Sequence, residues 1–266
     1  MKNRRYALLE KELAKVCREE EILKKAAMRS EKVTWKEELA HKIPPKAYDA
    51  LKKAFGKAFA VIFEKGTGII EKTFDKEAME ADYEIRDYAL RRKGGRKEIR
   101  TLRKEAAKTD LFNMAVSTAE GVGLGAFGIG LPDIALFVGM LLKGVYQAAL
   151  HYGIDYETPQ EKLFILKMME TAMTKGEEFV RLDAELNDML AEGGLSVPTE
   201  ALLRAQTEKT AEAFATDMLL QKFIQGLPLV GILGGAGNPV CYRKVMRYTG
   251  LKYRKRYLLR LKEDFR

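Results

Sequence analysis

Proline and turn-forming clusters are scarce in this chain. Seven prolines are spread through 266 residues, and no series of alternating polar and apolar residues would make a succession of short strands. An all-β or mixed architecture is therefore excluded. Cysteine is rarer still. Cys17 and Cys241 stand far apart in helical contexts, which excludes a disulfide framework and a paired metal spacing and points to a reducing compartment. Only two histidines occur, His41 and His151, and neither falls in HExxH or any other two-ligand spacing. No serine stands in GxSxG and neither cysteine has a histidine nearby. No catalytic residue, metal or cofactor is expected. The opening MKNRRYALLEKELAKVCREEE lacks a continuous apolar core, so no signal peptide is expected either.

What is present is apolar content, charge and helical periodicity. The 47% of apolar residues suffices for a real core and excludes wholesale disorder. The formal charge of +9 is unevenly placed: residues 241–266 carry ten basic side chains against Glu263 and Asp264. A second basic run, RRKGGRKEIRTLRKE, covers 91–105. Such patches suit anionic lipid headgroups or nucleic acid, or form a solvated helix face.

Residues 2–28 show Leu8, Leu9, Leu13, Val16, Ile22 and Leu23 at three- and four-residue steps, a charged amphipathic helix. Trp35, the only tryptophan, follows it. Pro44-Pro45 breaks the pattern, and a helix restarting at Pro45 would bury Leu51, Phe55, Phe59, Ile62 and Phe63. Gly66-Thr67-Gly68 interrupts that run. Further helices are expected over about 75–92, 96–119, 177–190 and 199–224, and Thr158-Pro159-Gln160-Glu161 reads as a capping box with Pro in the first turn. A last helix of about 24 residues carries the basic tail, with Asn238 as its N-cap and Tyr242, Met246, Tyr253, Tyr257 and Leu261 on one stripe.

Two stretches organise the rest. Residues 121–152 read GVGLGAFGIG, then Leu131-Pro132-Asp133, then an apolar helix ending at Gly153; GLPLVGILGGAGN at 226–238 echoes it. The glycines at 121, 123, 125, 128 and 130 superficially match a dinucleotide loop, but a helix precedes them and no βαβ context follows. Close approach of helices is the favoured reading. Residues 121–142 come nearest to a membrane-spanning length, but Pro132 and Asp133 sit mid-segment, where a charge costs about 2.5–3.5 kcal/mol. A re-entrant or interfacial hairpin over 111–150 is favoured over a full pass. Asp133 reads first as a helix N-terminal carboxylate and second as an anchor for a ligand.

Taken together these stretches resemble a known family. Leu131-Pro132-Asp133, the apolar helix, Tyr152-Gly153-Ile154-Asp155 and the Pro159 helix start resemble the first signature of the EcsC family. Leu227-Pro228-Leu229-Val230-Gly231, a Gly-rich turn, Asn238 and a terminal basic helix resemble its second. The likeness runs from about residue 35 to 260, and the charged region before residue 30 does not match the pattern. The resemblance implies a bacterial, helical protein, cytoplasmic or membrane-associated, whose founding relative is encoded with the ATPase and membrane subunits of an ABC transporter. It implies no agreed reaction. A second, slighter likeness is to the helical domains attached to membrane-associated GTPases.

The expected architecture is an all-α, multi-helix bundle with Gly/Pro-rich apolar hairpins at its centre, divided into a charged N-terminal helix (1–34) and an EcsC-like helical domain (35–266). The expected function is non-enzymatic. The chain would lie in the cytoplasm against the inner face of the membrane, with an anionic membrane surface or a membrane protein as partner. Phe127, Ile129, Leu131, Leu229, Ile232 and Leu233 would make the apolar contact, and Arg243, Arg247, Arg254, Lys255 and Arg256 the anionic-headgroup patch. Alternatives are a soluble interaction module accessory to an ABC transporter and, behind it, a lipid-directed enzyme using Asp133. Nucleic-acid binding ranks last.

Overall fold

The computed structural model describes residues 2–31, 45–95, 97–101, 132–191, 196–224 and 237–265. Among these there is no strand. The long helices are α1 (Lys2–Glu31), α2 (Pro45–Val61), α4 (Lys76–Lys93), α5 (Pro132–His151), α6 (Pro159–Met173), α7 (Gly176–Ala191), α8 (Glu200–Ile224) and α9 (Gly237–Asp264). Between α2 and α4 lie a π-helical turn, Ile62–Gly66, and the short α3, Thr67–Glu71. The all-α class read from the sequence is the one observed. The boundary expected at 34/35 falls outside the described residues, as do Trp35 and His41.

Local chemistry sets most of the helix ends. Asp75 caps α4 by accepting from the Ala78 N–H at 2.9 Å, and α4 ends at Gly94, whose φ of 55° suits glycine. Arg5 on α1 donates to the last carbonyls of α4, Arg91 and Arg92, so a cation meets the negative end of that helix. Thr199 caps α8 through the Leu202 N–H. The end of α5 is a full Schellman motif: Gly153 N–H donates to Leu150 C=O at 2.9 Å and Ile154 N–H to Ala149 C=O at 3.0 Å, with Gly153 at φ 64°.

Thr158 caps α6 through the Glu161 N–H at 3.3 Å, with Pro159 in the first turn. Only half of the expected capping box forms, because the Glu161 side chain turns inward to Tyr253 and Arg256 instead of back to the cap. At the C-terminal end α9 is 28 residues long and starts at Gly237. Asn238 therefore lies inside the helix, not before it as expected.

The centre of the bundle is α5. Ile134, Val138, Leu141, Leu142, Val145 and Tyr146 are fully buried, and α5 packs on α2, α4 and α9. Its segment Ile134–His151 is long and apolar enough to cross a membrane, yet 78% of it is buried inside the fold. The structure thus makes this helix part of the core. Phe137 of α5 meets Phe55 of α2 and Phe214 of α8, with ring centroids 5.3–6.4 Å apart within the trio. Each such buried ring contributes about 1.5–3 kcal/mol. Gly144 lets α9 close on α5: a Cβ there would lie 2.8 Å from both Met246 Sδ and Tyr242 Oη.

Candidate functional site

The basic terminal helix α9 separates into two parts. Its aromatic and aliphatic stripe is inside, as the spacing indicates: Tyr242, Met246, Tyr253, Tyr257 and Leu261 are all buried. Its far half spends its cations within the fold. Lys252, fully buried, places Nζ 2.7 Å from Glu20 Oε1 on α1 and 2.7 Å from Asp183 Oδ1 on α7. It also donates to Asn187 Oδ1 at 2.8 Å. Tyr248 donates to the same Asp183 at 2.6 Å. Lys255 pairs with Glu20 and Arg254 with Glu19, each at 2.7 Å. Arg256 pairs with Glu161 on α6, to which Tyr253 also donates.

These contacts explain two opposite titration shifts. Burial alone would raise the Asp183 carboxyl, but the Lys252 ammonium, the Tyr248 hydroxyl and Lys24 hold it below its ordinary value. Glu161 goes the other way, because burial outweighs Arg256 and Tyr253. In the same interior, burial pushes the Cys241 thiol up to about 12.

So Arg254, Lys255 and Arg256 of the expected headgroup patch each answer a carboxylate within the fold. Arg243 and Arg247, near the start of α9, are exposed and form no ion pair among the described residues. The carboxylates that receive the far half escaped the sequence reading, although a signal was present. Asp183 stands with Phe179, Leu182 and Leu186 on the buried stripe of α7, and Glu20 follows Val16 by one turn on that of α1. A carboxylate on an apolar stripe calls for a cation from another element.

The two Gly-rich stretches attach at one pole of the bundle. Helices α5 and α9 run parallel, since Gly144 faces Tyr242 and Met246, while the carbonyls of Tyr152 and Gly153 accept from Arg260 further along. Helix α8 runs antiparallel to α9: Asp217 pairs with Lys244 at 2.7 Å, and Gln221 donates to Cys241 Sγ at 3.6 Å. The start of α5, the end of α8 and the start of α9 are thus neighbours. The stretches holding Phe127, Ile129, Leu131, Leu229, Ile232 and Leu233 are joined to those ends, and all six residues lie outside the described residues. Asp133 falls in the first turn of α5, where its place in the sequence puts it.

At the opposite end of α5, the turn Tyr152-Gly153-Ile154-Asp155 sits on α9. Arg260 donates to Tyr83 Oη at 2.7 Å and to the Tyr152 carbonyl at 3.2 Å, with its guanidinium 5.5 Å from the Tyr257 ring centre. A cleft of about 450 Å³ opens there, and Asp155, Glu161, Arg256 and Arg260 line it. In it Arg256 already answers Glu161. His151 is buried against the edge of Tyr152, ring centres 4.9 Å apart. The cleft joins the second half of one sequence signature to the helix of the other.

The EcsC protein family matches residues 9–258, so the match begins within α1 and not near residue 35. Protein EcsC of Bacillus subtilis (strain 168) is 34% identical over 71 residues, which is 26% of this chain and 30% of that protein. The aligned stretch thus spans under a third of this relative. No solved structure matches. With a family match covering nearly the whole helical bundle, the chain belongs to the EcsC protein family.

Proposed function

We propose that this chain is a non-enzymatic, membrane-associated protein that meets an anionic membrane surface, or a protein embedded in it, with the pole where α5 and α9 begin and α8 ends. One observation carries this reading: both Gly-rich apolar stretches are joined to that pole, and the exposed Arg243 and Arg247 stand on the first turns of α9 beside it. The magnitudes set the division of labour. Two arginines near a headgroup layer contribute about 1 kcal/mol each, enough to orient the molecule but not to hold it. Apolar contact by Phe127, Ile129, Leu131, Leu229, Ile232 and Leu233 supplies the rest. The cytoplasmic face of the membrane, where the anionic lipids are, is the location this implies.

Co-sedimentation with vesicles of increasing anionic-lipid content tests the reading. Binding is expected at low salt and is expected to fall only partly at high salt, because the apolar contact is not screened. Arg243→Glu with Arg247→Glu is expected to weaken it at least about thirtyfold at low salt. A chain that stays in the supernatant with every vesicle contradicts the lipid contact. The same pole would then serve a protein partner such as a transporter component.

A further inference from the structure

Away from that pole, α2, α6 and α8 enclose an open groove of about 810 Å³. The helices are tied together beneath it: Phe55 and Phe59 pack on Phe214, and Thr210 donates to the Leu166 carbonyl at 3.1 Å. Above that layer the facing side chains are short. A Cβ at Gly56 would only just touch that of Ala211, 3.9 Å away, and Ala60 lies one turn on. The floor is therefore a trough with Leu166, Leu203 and Phe63 along it.

The rim is charged and uneven. Lys52 and Arg204 are matched by Glu212 at 2.8 Å and Glu200 at 3.5 Å. Asp49 and Glu208 also reach the rim. Lys53 and Lys57 are exposed and form no ion pair among the described residues. Lys162 has only a long contact, 3.5 Å, to the Phe63 carbonyl in the π-helical turn. Beside the apolar trough, Lys57 and Lys162 are thus lining cations that form no ion pair among the described residues.

We propose that this groove binds a long-chain fatty acid anion, with its carboxylate between Lys57 and Lys162 and its alkyl chain laid over Ala60, Leu166, Ala211 and Leu203. The volume suits a small ligand, whose sites span about 300–1,000 Å³.

The test is a fluorescence titration of the whole chain with dansylaminoundecanoic acid, below its micellar concentration and without vesicles, followed by displacement with palmitate. Saturable one-to-one binding is expected. Lys57→Glu with Lys162→Glu should weaken it at least tenfold, and Ala60→Phe, which fills the trough, by a similar factor. Hexadecanol should displace the probe at least tenfold less well than palmitate. Arg243→Glu with Arg247→Glu should leave the titration unchanged, which separates this site from the membrane-facing pole. Circular dichroism verifies that each variant is folded; Lys57 is exposed, so its change alone keeps the test open should the others unfold. No saturable binding, binding indifferent to both the charge and the filling variants, or hexadecanol competing as well as palmitate would each overturn the proposal.

Discussion

Lys252 Nζ lies 2.7 Å from Glu20 Oε1, a contact between the first and last helices across 232 positions, with both residues buried. Asp183 completes the site from α7. A cation this deep is tolerated only because two carboxylates and an amide oxygen surround it. The contact makes α1 part of the fold and removes several charges from the surface of a strongly basic helix.

Removing one member of a buried pair leaves the others uncompensated. Lys252→Ala is expected to cost about 3 kcal/mol, while Arg243→Ala, at an exposed position without an ion pair, should change stability by about 0.5 kcal/mol or less. Urea unfolding of both variants measures the difference. Equal effects would mean that position along α9 does not sort its charges.

The contrast shows what the sequence makes legible. Helix ends are written locally. Pro45, the Thr158-Pro159 pair, Thr199, Gly94 and Gly153 each mark an end within a few residues, and each end is found at or next to its mark. The apolar face of α5 and the tyrosine stripe of α9 follow from period alone. Charge partners do not. Tyr253 and Arg256 stand 92 and 95 positions from Glu161, and no local rule overrides a capping box on their account. The expected patch therefore mixed exposed arginines with partly buried cations already paired to carboxylates of the fold. Of the expected contact residues, the six apolar ones lie outside the described residues, so the pole is located by the helices that lead to it.

Two glycines should respond oppositely to alanine. At Gly153, φ is 64° and a Cβ would fall 2.1 Å from the Tyr83 ring. Gly153→Ala is expected to cost at least about 2 kcal/mol from backbone strain and overpacking. Gly250 lies inside α9 with nothing within 4 Å of the same point, so Gly250→Ala should gain about 0.5–1 kcal/mol. Thermal melts of the two variants, moving in opposite directions, check this.

Glu161 and Asp183 give the stability two pH limbs of opposite slope. Burial raises the Glu161 carboxyl above its ordinary 4.5 in the fold. Between 4.5 and that raised value the folded chain binds the extra proton, so stability falls as pH rises. Asp183 is held below its ordinary 3.8, so its contribution is complete above 3.8 and is lost as pH falls through its folded value. Urea midpoints against pH should show Glu161→Gln flattening the limb above 4.5 and Asp183→Asn flattening the limb below 3.8. A Glu161→Gln profile parallel to the parent above 4.5 would contradict the assignment.

The most direct test of the proposed membrane contact asks whether the pole enters lipid. In a Trp35→Phe background, Leu229→Trp places the sole indole in the second Gly-rich stretch. A companion chain carries the same background with Tyr88→Trp, at an exposed site on α4. Both are bound to anionic vesicles containing lipids brominated along the acyl chain. The account predicts strong quenching of the indole at position 229 and little at position 88. Vesicle-bound protein with equal quenching at both sites, or none at position 229, would contradict it.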